Sequence, residues 1–283
     1  MRKHTAQTNQ QPIPTKELEK TCLTAAEAGA RKATAYFNKT LKVNYKGKEK
    51  HGGTIVTEAD VAAEKEARKI ISRKYPGHSI VGEENGGKAQ GGYVWFIDPV
   101  DGTGNFSRGM PIWGTLVAVA LDAKPVAGAM VFPALRRKFY ASKGNGAFAD
   151  GKKIRCSNKT ADQGFTLGQS LHRTQSVENA LDCMREFSGS IGGVRIFGCT
   201  GYEGALIAEG KAELKIRFHT NAWDSCAPAI ITREAGGIYR NFKGKEWTTK
   251  DDTAISAANE KASTQAFRRL KHLFHVRGTP LRQ

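Results

Sequence analysis

Two carboxylates follow an apolar strand in residues 95–106, which read WFIDPVDGTGNF. The first five of these residues are mostly apolar, as expected of a strand that is buried on both faces. Burying Asp98 and Asp101 at the end of such a strand costs several kcal/mol unless a cation or hydrogen-bond donors neutralise them. Oxygen ligands at a strand end, followed by the free backbone amides of Gly102 and Thr103, are typical of a magnesium-dependent phosphate site.

A second acidic pair has the same placement. Glu83 and Glu84 follow a short predicted strand and stand fifteen and fourteen residues before Asp98. Because adjacent side chains of an extended chain point to opposite faces, only one of the two can join Asp98 in a pocket. The alternative interpretation is a charged surface turn.

Two other acidic residues have a structural interpretation beside the functional one. Asp224 precedes a predicted helix as a favoured N-cap residue, although its second oxygen could also bind a metal. The segment Thr57 to Asp60 has the form of a capping box. Alternatively, Asp60 supports a catalytic hydroxyl or a metal-bound water from behind.

The elements that must position these residues alternate between helices and strands, which predicts a layered α/β or α+β fold. Residues 1–14 are predicted to be disordered. Residues 114–121 and 126–132 are predicted to pair as antiparallel strands. Helices are predicted over 15–37, 57–74, 177–187 and 201–209 and from about 224, with further strands over 54–56, 79–82, 95–98, 138–142, 194–197 and 212–218 and near 166.

Composition excludes several classes of protein. The net charge is +17, but the basic residues are spread along the chain without a nucleic-acid-binding motif, so we expect a solvated basic surface that steers anionic substrates. The five cysteines contain no C-x-x-C pair, as is typical of reduced thiols in a cytoplasm. The N-terminus lacks a signal-peptide pattern and the apolar runs are too short to span a membrane, which predicts a soluble, cytoplasmic protein.

Four motifs occur in an order that resembles the inositol monophosphatase superfamily of magnesium-dependent, lithium-sensitive phosphatases. Residues 95–106 resemble its signature, an apolar strand followed by Asp-Pro-(Ile/Val/Leu)-Asp-Gly-Thr. Residues 82–84 are similar to the family's Gly-Glu-Glu, and residues 57–60 to its Thr-x-x-Asp. Residues 223–237, from Trp-Asp to Gly-Gly, resemble its second signature, so the resemblance covers most of the chain.

The resemblance implies an αβαβα sandwich whose metal site lies between an N-terminal half, 15–150, and a C-terminal half, 151–283, and it implies a homodimer. The amides of Gly102 and Thr103 would bind the substrate phosphate. Glu83 and Thr103 would orient a metal-bound water for in-line attack, with Asp60 accepting from the Thr103 hydroxyl. The groups implied to hold up to three Mg²⁺ ions are Glu83, Asp98, Asp101, Asp224 and the carbonyl of Val100.

Substrate choice depends on other residues. Residues 195–201 resemble the family's strand end beside the leaving-group pocket, which implies that Thr200 lies there. Arg217 stands seven residues before Asp224, where inositol phosphatases usually carry a Glu that binds ring hydroxyls. An arginine cannot accept hydrogen bonds from hydroxyls, but it could pair with a second anionic group. The implied substrate-binding residues are Asp101, Gly102, Thr103, Thr200, Arg217 and Asp224.

We therefore predict Mg²⁺-dependent hydrolysis of a small anionic phosphomonoester, with inositol phosphate or a related sugar phosphate as the leading substrate. Residues 111–116 look more like histidinol-phosphate phosphatases of the superfamily, and bisphosphate nucleotidases also carry an arginine near position 217. A rival class is a non-catalytic protein of the same fold that binds phosphate or nucleic acid. Retention of all the predicted ligands argues against it.

Overall fold

The computed structural model describes residues 13–39, 43–46, 54–164, 166–167, 174–189 and 192–274. These ranges contain seven α-helices: α1 Thr15–Thr34, α2 Glu58–Lys74, α3 Thr103–Ser107, α4 Thr174–Phe187, α5 Thr200–Ala208, α6 Ala222–Glu234 and α7 Glu260–Phe274. No helix in this part of the chain is long and apolar enough to cross a membrane.

Two of the three sheets lie in the first part of the chain. A two-stranded antiparallel sheet is formed by β1 Val43–Lys46 and β2 Thr54–Thr57. A seven-stranded sheet then runs in chain order, with β3 parallel to β4 and every other pair antiparallel. Its strands are β3 Ser79–Gly82, β4 Tyr93–Asp101, β5 Gly114–Leu121, β6 Lys124–Phe132, β7 Arg137–Ser142, β8 Ala147–Ala149 and β9 Lys152–Lys153.

The third sheet has five strands in the order β11-β10-β12-β14-β13. Strand β10 is parallel to both of its neighbours, whereas β14 is antiparallel to β12 and β13. The strands are β10 Thr166–Leu167, β11 Val194–Arg195, β12 Leu214–Arg217, β13 Ile238–Arg240 and β14 Ala254–Ala257. Strand β12, the central strand of this sheet, ends at Arg217.

The sheets and helices stack in five layers. Alternate side chains of β4 face opposite sides: Trp95 and Ile97 pack in one core with α1 and α2, and Phe96 packs in another with α5 and α6. Helices α5 and α6 also contact the five-stranded sheet, and α7 covers its far side through Leu270 and Ala266. The predicted αβαβα sandwich is confirmed, with α5 and α6 as its middle layer.

The predicted elements are present in the structure, but some bounds differ and several further elements had not been predicted: α3, α7, β1, β8, β9, β13 and β14. The strand predicted over 194–197 ends at Arg195. A helix that begins near residue 224 would carry Pro228 in its first turn, but α6 begins at Ala222, so Pro228 lies in its second turn. Since proline lacks an N–H, it leaves the carbonyl four residues earlier, that of Asp224, without its helical donor.

Two predictions about the organisation of the chain remain predictions. Residues 1–12 of the predicted disordered segment lie outside the described residues, and Ile13 and Pro14 directly precede α1. The division at residue 150 stays a prediction. The seven-stranded sheet continues to Lys153, and α6, from the second half, packs on strands of the first.

Candidate active site

Strand β4 ends in a bulge and a left-handed turn. Its register against β5 shifts between Asp98 and Asp101, and the Thr115 hydroxyl donates to the Pro99 carbonyl at 2.7 Å, on the bulge. Gly102 then adopts φ +86°, and a Cβ there would lie 2.9 Å from the Ile112 carbonyl oxygen. Only glycine fits such a position, which is why the chain can turn directly from the strand into α3.

Asp98 is the least satisfied carboxylate of the site. It is 1% exposed, and its Oδ1 atom is buried without any hydrogen-bond partner. Burial raises its pKa well above the ordinary value, and the charges of Glu83, Asp101 and Asp224 raise it further. An aspartate in these surroundings needs either a proton or a cation.

Asp101 joins the two parts of the chain. Its Oδ1 accepts from the Thr200 amide at 2.8 Å and its Oδ2 from the Gly201 amide at 2.5 Å, so the carboxylate lies at the N-terminus of α5. The Cys199 thiol donates to Oδ2 at 3.0 Å. A Cβ on Gly201 would lie 3.0 Å from Oδ2, so glycine lets the amide come this close. Burial raises the pKa of Asp101, and these hydrogen bonds partly oppose the shift.

Both interpretations of Thr57 to Asp60 are consistent with the geometry. The Asp60 Oδ2 accepts from the Thr57 amide at 2.8 Å, and the Thr57 hydroxyl accepts from Ala59, which completes the capping box of α2. The Asp60 Oδ1 lies 3.3 Å from the Thr103 hydroxyl, which is also 2.9 Å from the Val100 carbonyl oxygen. Burial raises the pKa of Asp60 to about 6 although its hydrogen bonds with Thr57 oppose the rise.

Asp224 is a capping residue, but not the N-cap that the sequence suggested. Asn221 is the N-cap of α6, and the Asp224 Oδ2 reaches back to the Asn221 amide at 3.0 Å. The N-cap position moves three residues upstream because Asn221 and Asp224 together complete a capping box. The Arg217 Nη2 lies 3.9 Å from the same Asp224 oxygen.

Arg217 lies beside Thr200, the residue predicted to border the leaving-group pocket. Its Nη1 donates to the Thr200 hydroxyl at 2.7 Å, and its Nε is buried without a hydrogen-bond partner. Beneath it, Lys215 and Glu203 form a buried ion pair at 2.6 Å, and the Lys215 ammonium also donates to the Thr200 carbonyl at 2.9 Å. Arg217 therefore borders the acidic cluster at Asp224, and the Lys215 charge, which is paired with Glu203, acts on Asp101.

Glu83 follows β3 directly and lies beside Asp98. Its amide donates to the Ile97 carbonyl at 3.1 Å, which continues the pairing of β3 with β4. The neighbouring residue Glu84 differs, since its amide donates to the Glu64 carboxylate at 2.7 Å. The Glu83 charge acts on Asp98, whereas the Glu84 charge acts on Asp60, so the two side chains face different carboxylates of the site.

Sequence reasoning missed four residues that surround these carboxylates: Glu64, Cys199, Glu203 and Lys215. Glu64 carries a usable signal, because it stands four residues after Asp60 on a helix and therefore shares a face with it. The other three are local features of a helix start and a strand. Their place in the site follows only from the contact between α5, β12 and the β4 turn.

The donor set fits a divalent cation by its chemistry. Among the described residues, no three Asp, Glu, His or Cys side chains converge closely enough to enclose an ion, and Asp101 and Asp224 hydrogen-bond to amides at the starts of α5 and α6. The set nevertheless consists of oxygens, which Mg²⁺ prefers. It also includes the buried, unpartnered Asp98 Oδ1.

A separate cavity of about 650 Å³ lies beside the N-terminus of α6. Val81, Phe96, Ala222 and Trp223 contribute to its wall. None of the predicted metal ligands lines it, so it does not coincide with the carboxylate cluster.

Five alternating layers, with acidic strand ends where they meet, define the αβαβα class of proteins with an oxygen-rich site. The chain belongs to the inositol monophosphatase family, whose sequence profile matches residues 15–273. Members of this family are metal-dependent phosphoric monoester hydrolases that generally use Mg²⁺.

Relatives within the family differ in their named substrates. The chain is 30% identical over 218 residues to the fructose-1,6-bisphosphatase/inositol-1-monophosphatase of Aquifex aeolicus. The aligned region covers 76% of this chain and 82% of that protein. It is 34% identical over 198 residues to the histidinol-phosphatase of Mycobacterium tuberculosis. That aligned region covers 68% of this chain and 75% of the relative.

Solved structures agree with the fold. The IMPase of Thermotoga maritima superposes with a TM-score of 0.80 at 25% identity, over 88% of this chain and 95% of that chain. The extragenic suppressor protein suhB of Bartonella henselae gives a TM-score of 0.80 at 26% identity, over 89% and 97%. These similarities establish the family and the fold, and they leave the substrate open.

Proposed function

We propose that the protein hydrolyses small phosphate monoesters with the help of Mg²⁺ bound at the carboxylate cluster. The observation that carries the proposal is the buried Asp98 Oδ1, which has no hydrogen-bond partner and lies among like charges. A protein retains such a group at several kcal/mol of cost where a cation satisfies it.

Each predicted residue then has a stated role. The ligands for up to three Mg²⁺ ions are Glu83, Asp98, Asp101, Asp224 and the Val100 carbonyl. Bound Mg²⁺ supplies charge neutralisation at the phosphoryl oxygens and acidifies water at neutral pH. Glu83 and the Thr103 hydroxyl orient the attacking water, while Asp60 and the Val100 carbonyl are the acceptors within reach of that hydroxyl. The amides of Gly102 and Thr103 donate to the phosphate.

Asp98→Asn tests the proposal. The substitution preserves shape but removes the charge that a cation would neutralise, so we expect Mg²⁺-dependent phosphate release to fall at least about 100-fold. Calorimetric Mg²⁺ binding should weaken in parallel. Asp182→Asn, on the exposed side of α4, is the matched control and should change neither. Unchanged phosphate release and unchanged metal binding in Asp98→Asn would contradict the proposal.

The leaving alcohol is the finer question. Inositol phosphates and related sugar phosphates are the first substrates to test, because they are the family's name-giving class. Arg217 favours alcohols that carry a second anionic group, since its Nε has no acceptor and a guanidinium cannot accept from sugar hydroxyls. The Aquifex relative, whose name includes a bisphosphatase, is compatible with this preference.

Matched substrates separate these alternatives. We expect adenosine 2′,5′-bisphosphate to be cleaved with a higher kcat/KM than adenosine 2′-monophosphate, and Arg217→Gln to abolish the difference. Arg217→Glu should shift preference towards inositol 1-phosphate, because a carboxylate accepts from hydroxyls. Histidinol phosphate and fructose 1,6-bisphosphate complete the panel. Equal kcat/KM values for the two adenosine substrates, together with unchanged substrate preferences in both variants, would show that Arg217 does not select the substrate.

The other finer predictions have direct tests. We propose a homodimer, which light scattering with size-exclusion chromatography measures. The net charge of +17 offers a route to nucleic acid, but we expect no retention of plain DNA at physiological salt, because unspecific phosphate contacts weaken steeply with salt. Retention under those conditions would favour the non-catalytic, nucleic-acid-binding alternative.

A further inference from the structure

We propose that Glu64, on α2, is a positioning residue that holds the turn at residues 82–85 and thereby keeps Glu83 beside Asp98. The inference rests on the proposed function, because it takes Glu83 as a ligand of the metal. It adds a residue that lies behind the ligands, in a helix whose sequence pattern indicated only a capping box at its start.

The contacts of Glu64 show what it holds. Its side chain is fully buried, and its carboxylate accepts from the Glu84 amide at 2.7 Å and the Asn85 amide at 3.2 Å. It also accepts from the Asn85 side-chain amide at 3.1 Å and from the Arg68 Nε at 2.6 Å. A buried carboxylate with this many donors is well compensated, and most of those donors belong to the turn that follows Glu83.

The turn is built around this carboxylate. A Cβ on Gly82 would lie 2.2 Å from the Glu64 Oε1, so the strand before Glu83 passes directly against the carboxylate. Arg68 extends the contact, with its guanidinium 2.5 Å from the Gly86 carbonyl oxygen and 3.4 Å from that of Ile80. Residues on both sides of Glu83 are therefore bound to one pair of side chains on α2.

The same helix face also reaches the second half of the predicted catalytic machinery. Asp60 and Glu64 stand four residues apart, so they lie on one face of α2 about 6 Å from each other. Asp60 contacts the Thr103 hydroxyl, and Glu64 holds the turn of Glu83. One rigid helix therefore sets the distance between the two groups proposed to orient the attacking water.

Metal binding in Glu64→Gln tests this inference. Glutamine keeps the size and one acceptor but loses the charge that binds Arg68 and three turn donors. We expect the dissociation constant for Mn²⁺, measured by electron paramagnetic resonance on the metal-free protein, to rise by about tenfold or more. The Mg²⁺ concentration for half-maximal phosphate release should rise by a similar factor, with the substrate KM at saturating Mg²⁺ nearly unchanged. Glu66→Gln, on the same helix, is the matched control.

Each result has a definite meaning. Wild-type Mn²⁺ affinity in a folded Glu64→Gln would overturn the inference, provided that Asp98→Asn weakens Mn²⁺ binding as proposed. If Asp98→Asn also binds Mn²⁺ normally, the proposed function itself is wrong. If Glu64→Gln does not fold, Arg68→Gln replaces it, since Arg68 is partly exposed and contacts the same turn. A wild-type Mn²⁺ affinity in Arg68→Gln would then overturn the inference.

Discussion

Asp60 is a residue of the site whose burial lowers the stability of the folded protein. Its carboxylate is almost completely buried, caps α2 through Thr57 and lies 3.3 Å from the Thr103 hydroxyl. Burial raises its pKa to about 6, which means that the ionised carboxylate is disfavoured in the folded protein relative to the unfolded chain. A residue kept for stability alone would not need this charge, because an asparagine side-chain oxygen can also accept from the Thr57 amide.

The raised pKa of Asp60 predicts a pH-dependent stability. Between about pH 4 and pH 6 the folded protein binds more protons at this residue than the unfolded chain does, so its contribution to stability falls as pH rises. Asp60→Asn lacks this penalty. In EDTA, we expect the free energy of unfolding of Asp60→Asn, relative to wild type, to increase from pH 4 to pH 7 by up to about 3 kcal/mol.

Urea unfolding at several pH values measures this difference, and phosphate release supplies the second readout. Asp60→Asn should lose activity while it gains relative stability at pH 7. A stability difference between the two proteins that stays constant over this pH range would contradict the assignment. The wild-type curve is the internal control, because the other carboxylates titrate alike in both proteins.

At the scale of elements, the site depends on how α5 meets the strands around it. Asp101 accepts from the amides that begin α5, and the Asn105 side chain donates to the carbonyls of Ile112 and Phe197 at 2.8 Å each. Glu203, on α5, forms its ion pair with Lys215 of β12. These contacts bind the helix to the β4 turn on one side and to the strand of Arg217 on the other.

The buried pair between Glu203 and Lys215 predicts non-additive stability. Both side chains are nearly inaccessible, and burial lowers the pKa of Lys215. Either Glu203→Gln or Lys215→Met alone leaves a buried charge without its partner, so each should cost about 3–5 kcal/mol. The double variant removes both charges, and the introduced glutamine side chain can still accept from the Phe197 amide that now binds Glu203. We expect its cost to be clearly smaller than the sum.

Denaturant unfolding of the four proteins forms a double-mutant cycle for this pair. A coupling energy below about 0.5 kcal/mol would show that the two charges act independently and would contradict the prediction. Asp182, which pairs with Arg185 on the exposed side of α4, offers the control: Asp182→Asn should cost much less.

At the scale of the whole molecule, charge and thiols are distributed unevenly between surface and interior. The chain has a net charge of +17, yet the charges of Glu83, Asp101 and Asp224, from the ends of β3 and β4 and from α6, all act on the buried Asp98. The five cysteines also lie mostly in the interior. They are free, and four of them are buried in the cores.

The buried thiols predict a protein whose cysteines resist thiol-specific reagents while it is folded. Burial raises the pKa of Cys156 and Cys183 to about 12 and raises that of the other three thiols as well. At pH 8 a thiol with a pKa near 12 is ionised in only about one molecule in ten thousand. We expect Ellman's reagent to react slowly with the native protein, first at the partly exposed Cys156, and with all five thiols in guanidinium chloride. Rapid reaction of several native thiols would contradict these pKa directions.

The order of elements and the carboxylates at strand ends could be predicted from the sequence. Apolar periodicity located most of the helices and strands, because it records which side of each element is buried. Asp98, Asp101 and Glu83 could be found because charged residues directly after apolar strands are costly and therefore informative. Capping residues such as Asp60 were recognised by local spacing alone, and the structure agrees with that local pattern.

The long-range partners were decided only by tertiary structure. Nothing in the neighbourhood of Lys215 or Glu203 indicates that they lie under the site, since both are brought there by the packing of α5 between two sheets. The N-cap of α6 also moved to Asn221, because a capping box depends on backbone geometry as well as residue type. Sequence alone therefore determined which chemistry this protein carries, because residue types and local spacing set acidity and capping. Its geometry was decided by contacts between residues far apart in the chain, which local patterns do not encode.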